Sequence, residues 1–139
     1  MFTKGFTKLE VLITVLVFAF LLGCTVPRVM HLVHKAKEGS TKHRLVKMRS
    51  AIAAYYGEHQ GTYPTDDLSC LVPKYIEGIP MVTIPGFRPS HHVSTGSYEQ
   101  AFTNQGGWAY VSDPTDPRYG DVFVNTSKED SYGTAWNLH

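Results

Sequence analysis

One stretch near the start of the chain decides its fold: LEVLITVLVFAFLLGCTVP, residues 9–27. It is apolar apart from Glu10 and a few small or weakly polar residues. As an α-helix, a segment of this length is about 28 Å long, which is close to the thickness of the hydrocarbon core of a bilayer. The stretch therefore predicts one helix that is long enough to cross a membrane.

The helical pattern continues beyond the apolar stretch. Residues 28–47 are polar and basic with good helix formers, and apolar side chains then recur at three- and four-residue spacing, as expected for one buried helical face: Leu45, Met48, Ile52 and Tyr55. The pattern stops at Gly57. We predict a single long helix from about Phe6 to about Tyr56, apolar in its first half and amphipathic in its second.

Two residues are the weak points of this helix, Pro27 and Gly39. A proline inside a helix removes one backbone hydrogen bond and clashes with the preceding turn. We therefore expect a kink or local melting before Pro27, and the alternative is that Pro27 ends the membrane helix.

The second half of the chain differs in composition from the first, because seven of the eight prolines in the whole chain lie after Gly61. A short helix is predicted over Asp67–Tyr75 and an irregular surface segment over Gly86–Gly107. Trp108–Ser112 and Val122–Asn125 are predicted strands that pair antiparallel and flank the turn-rich segment Asp113–Gly120. The expected fold class is α+β, with a long N-terminal helix packed on a small antiparallel sheet.

Charge is distributed unevenly, although the formal net charge is only +1. Arg28–Arg49 holds seven basic residues against one acidic residue, and Ser50–His139 holds ten acidic against four basic. The basic run lacks interleaved aromatic residues, so the pattern favours a solvated face or an interaction arm over nucleic-acid binding. The two cysteines show no disulfide framework. Cys70 is expected to be a small buried residue, and the alternatives are a reactive free thiol or an intermolecular bridge.

The segment Lys4-Gly5-Phe6-Thr7-Lys8-Leu9-Glu10 stands directly before the apolar helix. It resembles the signal of type IV prepilins, the precursors of type IV pilins and of the pseudopilins of type II secretion systems. The resemblance implies cleavage after Gly5 by a prepilin peptidase and N-methylation of Phe6. It further implies a leader over residues 1–5, a transmembrane and filament-core helix over 6–30, and an amphipathic helix with a globular pilin-like head over 31–139.

Glu10 makes the resemblance specific. A carboxylate costs about 3 kcal/mol at the centre of a membrane helix, and less near the interface, unless it finds a partner. The resemblance implies that this partner is the methylated amine of Phe6 on a neighbouring subunit, so that Glu10 sets register during assembly. The alternative is that Glu10 lies among lipid headgroups without a role.

The resemblance implies a structural subunit, not an enzyme. As a type IV pilin, the chain would lie in the inner membrane before assembly and self-associate into an extracellular helical filament. Its partners would be the prepilin peptidase, an inner-membrane platform and an assembly ATPase. The alternative within the family is a pseudopilin that forms a periplasmic pseudopilus.

Two features depart from the family pattern. Lys8 stands where an apolar residue is usual, and it would pair with Glu10 or extend outward. The basic run after Arg28 exceeds Lys4 and Lys8 in charge, so the positive-inside rule favours the opposite membrane orientation. Our hypothesis is that acidic heads of neighbouring subunits neutralise this run.

A rival interpretation uses Leu21-Leu22-Gly23-Cys24, which looks like a lipobox. Cleavage before Cys24 would leave a lipoprotein anchored at that residue, and Glu10 would be discarded. The acidic residue in the signal and the helical pattern that continues past Cys24 argue against it.

Side chains that could support catalysis or metal binding are few. His31 with His34, and His91 with His92, lack a carboxylate at ligand spacing, and no cofactor motif is present. Four aspartates of the last third are candidate calcium ligands, although turn formation is the simpler role: Asp113, Asp116, Asp121 and Asp130. Asn125-Thr126-Ser127 matches a glycosylation sequon by pattern alone.

Overall fold

The computed structural model describes residue 5 and residues 7–139, and of Pro27 only the backbone. Within these residues the layout is α+β, with one long helix and a small three-stranded sheet, as expected. The elements, in chain order, are α1 (Lys8–Glu58), a 3-10 helix (Ser69–Leu71), β1 (Val93–Gly96), α2 (Tyr98–Ala101), β2 (Trp108–Val111), β3 (Val122–Val124) and a second 3-10 helix (Trp136–Leu138).

Contacts divide the chain into two compact units. The first ends at His34, and the second comprises Lys35–His139. Helix α1 belongs to both units: residues 8–34 of the helix lie in the first unit, and residues 35–58 lie in the second.

In the first unit, α1 starts after Thr7, whose Oγ1 accepts a hydrogen bond from the Glu10 backbone N–H at 3.2 Å. The helix continues through Pro27 without interruption, so the alternative in which Pro27 ends it is wrong. A proline removes only one helical hydrogen bond, and the neighbouring bonds keep the helix continuous. The kink at Pro27 stays a prediction.

In the second unit, α1 buries the face that its sequence predicts. Leu45, Met48 and Ile52 are buried, whereas Tyr55 at the end of the row is half-buried. The spacing of three and four residues places these side chains on one side of the helix. Val46, between them in sequence, is exposed on another side.

The sheet has the order β1-β2-β3 and is mixed, not purely antiparallel. Strands β2 and β3 form the expected antiparallel hairpin, in which Trp108 pairs with Val124 and Tyr110 with Val122. The correction is β1, which pairs parallel with β2 inside a stretch predicted to be irregular. The crossover through α2 is long enough to return the chain in the same direction, which a tight turn cannot do.

Both faces of β2 are covered, so all four of its residues are buried. Trp108 and Tyr110 belong to the main core with the α1 face, whereas Ala109 and Val111 pack with Phe123 in a second, smaller cluster. This alternation follows from the two-residue period of a strand. The buried polar atoms are satisfied, because Trp108 Nε1 donates to Pro80 O at 2.7 Å and the Tyr110 hydroxyl donates to Pro64 O at 2.6 Å.

The predicted helix over Asp67–Tyr75 is only the 3-10 turn Ser69–Leu71. Leu68, just before it, has a φ of +68°, a left-handed conformation that an α-helix cannot include. Leu68 and Leu71 enter the core, and Cys70 between them is exposed. The expectation that Cys70 is buried is therefore wrong, because the turn points its two leucines inward instead.

Candidate functional site

The first feature with functional potential is the start of α1. Gly5 lies before the helix and is exposed, and a Cβ added to it would have no atom within 4 Å. Phe6, the expected methylation site, lies outside the described residues. Glu10 is exposed in the first helical turn.

Glu10 also has a local role that the sequence signals but that our prediction did not include. Thr7 and Glu10 have the Thr-x-x-Glu spacing of a capping box, and the Thr7 side chain bonds the Glu10 backbone N–H. A carboxylate here also interacts favourably with the positive end of the helix dipole. Among the described residues, Lys8 and Glu10 do not form the ion pair that we considered above. Side chains two positions apart on a helix do not face each other.

The apolar part of α1 lies exposed in the first unit. Its large apolar side chains, from Leu9 to Val33, are all exposed. An 18-residue window in this helix has a mean hydropathy of 2.5, and none of it is buried. By length and composition α1 is therefore able to cross a membrane. A contiguous apolar surface of this extent is typical of a membrane or protein interface.

Cys24, the residue of the rival lipobox, is exposed inside α1 and part of the same continuous helix. Cys24 lies three residues before Pro27, and α1 is continuous at both residues. Cleavage before Cys24 would cut within regular helix.

The four candidate calcium ligands are not brought together. Asp113 accepts hydrogen bonds from the backbone N–H and hydroxyl of Thr115 at 2.9 and 2.7 Å, and Asp116 accepts from the backbone N–H of Tyr98 at 2.8 Å. Asp121 is exposed. In the part of the chain that the structure describes, no group of three His, Cys, Asp or Glu residues is arranged to hold a metal ion.

The buried carboxylate of Asp130 instead forms an ion pair with a half-buried lysine of α1. Lys42 Nζ lies 2.5 Å from Asp130 Oδ2, and His139 Nε2 lies 3.0 Å from the same oxygen. Asp130 Oδ1 accepts the backbone N–H groups of Tyr132 and Thr134 at 2.8 and 3.0 Å. The hydrogen bond from Lys42 is the main cause that lowers the pKa of Asp130, and the two backbone N–H groups act in the same direction.

Asn125, the sequon asparagine, is fully buried. Its Oδ1 accepts the backbone N–H groups of Thr103 and Asn104, both at 2.9 Å, and its Nδ2 donates to Ser94 Oγ at 3.1 Å and Thr103 Oγ1 at 2.8 Å. All of its hydrogen-bonding capacity is used inside the protein. The folded chain therefore offers no accessible amide for a glycan at this position.

Cys70 lies beside Asp66 and Tyr55. Its Sγ donates to Asp66 Oδ1 at 3.3 Å. Partial burial of the sulfur raises the pKa of the thiol to about 11, and the nearby Asp66 carboxylate acts in the same direction. Of the histidines considered above, His31 and His34 are exposed on α1, and His91 Nδ1 bonds Ile79 O at 2.8 Å.

Comparison with known proteins adds no assignment: no family model, no characterised protein and no solved structure matches this chain.

Proposed function

We propose that this chain is a structural subunit of a type IV filament, a type IV pilin. It is made as a short-leader prepilin, held in the inner membrane by the first part of α1, and polymerised through that helix. In this proposal prepilin peptidase removes residues 1–5 and methylates Phe6. An inner-membrane platform and an assembly ATPase then add the subunit to the filament. A pilin-like head over the second unit completes the subunit.

The observation that carries the proposal is the contrast between the two parts of α1. Leu45, Met48 and Ile52 are buried by the sheet and loops of the second unit, whereas the apolar side chains before His34 are exposed. Isolated in water, such a surface is unfavourable by about 25 cal/mol per Å² of apolar area. A lipid bilayer covers it before assembly, and equivalent helices cover it in a filament.

Glu10 supplies the register in this proposal. It is the one charged residue in the stretch 9–27, and it lies near the start of the helix. In an apolar surrounding, a carboxylate is stabilised by an opposite charge at close range. The amino terminus of a neighbour, at Phe6, provides that charge at one defined axial stagger.

Two other assignments remain as alternatives. A pseudopilin has the same signal and anchor, and differs in where the filament forms. A lipoprotein anchored at Cys24 would lose residues before that position, including Glu10, and would therefore have no register residue.

The proposal is tested with Glu10→Leu in cells that assemble the protein. Thr14→Val is the matched control, because Thr14 is one turn further along and its hydroxyl donates to the Glu10 backbone oxygen at 2.8 Å. We expect the Glu10→Leu chain to be processed and inserted in the membrane but absent from sheared surface filaments, and Thr14→Val to assemble. Normal assembly of the Glu10→Leu chain contradicts the proposal.

A further inference from the structure

Strand β1 lies at one edge of the sheet, and its outer backbone groups are free. The carbonyl oxygens of His92 and Gly96 accept N–H groups of β2 and of the residue after it, at 2.8 and 3.0 Å. Because backbone groups alternate between the two sides of a strand, the N–H and C=O of Val93 and Thr95 point away from β2. Among the described residues, these groups have no backbone partner on the outer side.

Helix α2 follows β1 but leaves this edge open. Tyr98 and Phe102 pack with Phe123 of β3, so α2 runs across one face of the sheet instead of along its edge. Thr95 is exposed. Edge strands are commonly protected by a proline or a charged side chain, and the sequence Val-Ser-Thr-Gly of β1 has neither. The edge is therefore able to pair with another strand.

The spacing of the free groups matches a second copy of β1. When two β1 strands run antiparallel about Ser94, Val93 of each copy lies opposite Thr95 of the other. Each of these pairs exchanges two hydrogen bonds, as the hydrogen-bonded pairs of an antiparallel ladder do. Every outward N–H and C=O of Val93 and Thr95 is then satisfied in both copies. The edge is thus self-complementary, which is the requirement for a two-fold contact.

The charges at the two ends of β1 also favour antiparallel pairing with a copy. Val82 and Ser90 close a loop before the strand, and the acidic or basic side chains of residues 82–92 are all basic: Arg88, His91 and His92. After the strand come Glu99 and Asp116, which accepts the N–H of Tyr98 at 2.8 Å, against Arg118. Antiparallel pairing brings the basic start of one strand to the acidic end of the other.

We propose that the outer edge of β1 docks on β1 of a second copy, so that the two sheets become one continuous sheet. A two-fold contact closes on itself and does not propagate a filament, so this contact differs from the α1 contacts of the proposed function and goes beyond them. With four residues from each copy, the interface is small. It forms where copies are concentrated, as they are when held in one membrane.

The test is disulfide trapping of the full chain in lipid vesicles, in a Cys24→Ser, Cys70→Ser background. In the proposed register, residue 94 faces its own copy in a pair without hydrogen bonds, where the Cα atoms are about 4.5 Å apart and a disulfide can form. Residue 95 lies diagonally from its own copy at about 8 Å, which is too far. We expect oxidation with copper phenanthroline to give covalent dimers of Ser94→Cys and few of Thr95→Cys.

A second pair of variants tests the backbone hydrogen bonds. In the Ser94→Cys chain, Thr95→Pro removes the outward N–H of residue 95 and thus two of the bonds between the copies, whereas Thr95→Val keeps them. Since each backbone bond contributes a factor of about five, Thr95→Pro should slow dimer formation about thirtyfold relative to Thr95→Val. Emission of the buried Trp108 and Trp136 checks the fold, and if Thr95→Pro fails this check the two cysteine positions alone decide.

Three results overturn the proposal: no dimer of Ser94→Cys, equal dimer from both cysteines, or equal rates for folded Thr95→Pro and Thr95→Val. The outcome is separate from the proposed function, because neither Glu10 nor Phe6 takes part. A Ser94→Cys dimer combined with normal filaments of Glu10→Leu supports the strand pairing and rejects the register role of Glu10. The reverse combination rejects the strand pairing alone.

Discussion

Lys42 and Asp130 are 88 residues apart in sequence, and their side chains meet at 2.5 Å. The pair fastens the turn before the second 3-10 helix to α1, and the Asp130 side chain is fully buried. The Lys42 side chain is 32 % exposed, so the pair is only half-buried and is a weak source of net stability, but removing Lys42 would leave the buried Asp130 carboxylate without its main partner. Substituting Asp130 therefore tests how much this contact with α1 contributes to the stability of the C-terminal residues.

Acid should destabilise the fold through Asp130. Its pKa is lowered from 3.8, mainly by the hydrogen bond from Lys42, with His139 and the backbone of Tyr132 and Thr134 also facing it. Because the folded pKa lies below the unfolded one, this contribution is fully present above about pH 4 and is lost as pH falls toward the folded pKa. The melting temperature of the full chain in detergent should fall more steeply below pH 4 than that of Asp130→Asn.

At pH 7 the Asp130→Asn variant should melt lower than the wild type, and the two should converge at low pH. Parallel curves for the two proteins would contradict the role given to this carboxylate.

Met48 should be the most informative core position on α1. It is fully buried, whereas Val46 on the same helix is 59 % exposed. We expect Met48→Ala to lower the free energy of unfolding by about 2–5 kcal/mol, because it leaves a cavity. The matched Val46→Ala should change it by less than about 0.5 kcal/mol. Denaturant unfolding followed by fluorescence of the buried Trp108 and Trp136 measures both, and equal effects would show that the helix face is misassigned.

Asn125 should prove structural, not glycosylated. Asn125→Ala leaves the backbone N–H groups of Thr103 and Asn104 without their acceptor, which should cost about 1–3 kcal/mol of unfolding free energy. Gln105→Ala, an exposed amide nearby in sequence, serves as the control and should be close to neutral. A glycan mass on the Asn125 peptide from the native source would contradict the assignment.

Cys70 should react slowly although it is exposed. With its pKa raised to about 11 from the ordinary 9.0, its thiolate fraction at pH 8 is lower by a factor of about 100. Alkylation rates in a Cys24→Ser background should therefore still be rising at pH 10. Asp66→Asn removes the neighbouring carboxylate and should move the profile to lower pH. A wild-type profile centred near pH 9 would show that the sulfur is not shielded.

The helix and the hairpin could be predicted because their signals are local. The row from Leu45 to Ile52 repeats with the helical period, and the alternation in Trp108–Val111 lies next to a turn-rich loop. Neither depends on knowing what the segment packs against.

Strand β1 and the Asp130 ion pair could not be predicted, because each depends on distant partners. Val93–Gly96 contains one large apolar residue and becomes a strand only by pairing with β2. Asp130 resembles the other turn-forming aspartates in sequence, and only the fold brings Lys42 to it. Cys70 was misplaced because a left-handed Leu68 decides which residues of the turn face inward.

The site at the start of α1 was predicted entirely from its motif. The described geometry adds the Thr7 cap and the exposure of Glu10, whereas the pairing of Glu10 with Phe6 involves a second subunit and stays a prediction.

The most direct test of the central claim is mass spectrometry of the intact protein and of its N-terminal peptide, recovered from native membranes or sheared surface filaments. We expect a chain that begins at N-methylated Phe6 and retains Glu10. A chain that begins at a lipid-modified Cys24 would contradict it, because that product lacks the residue on which assembly depends.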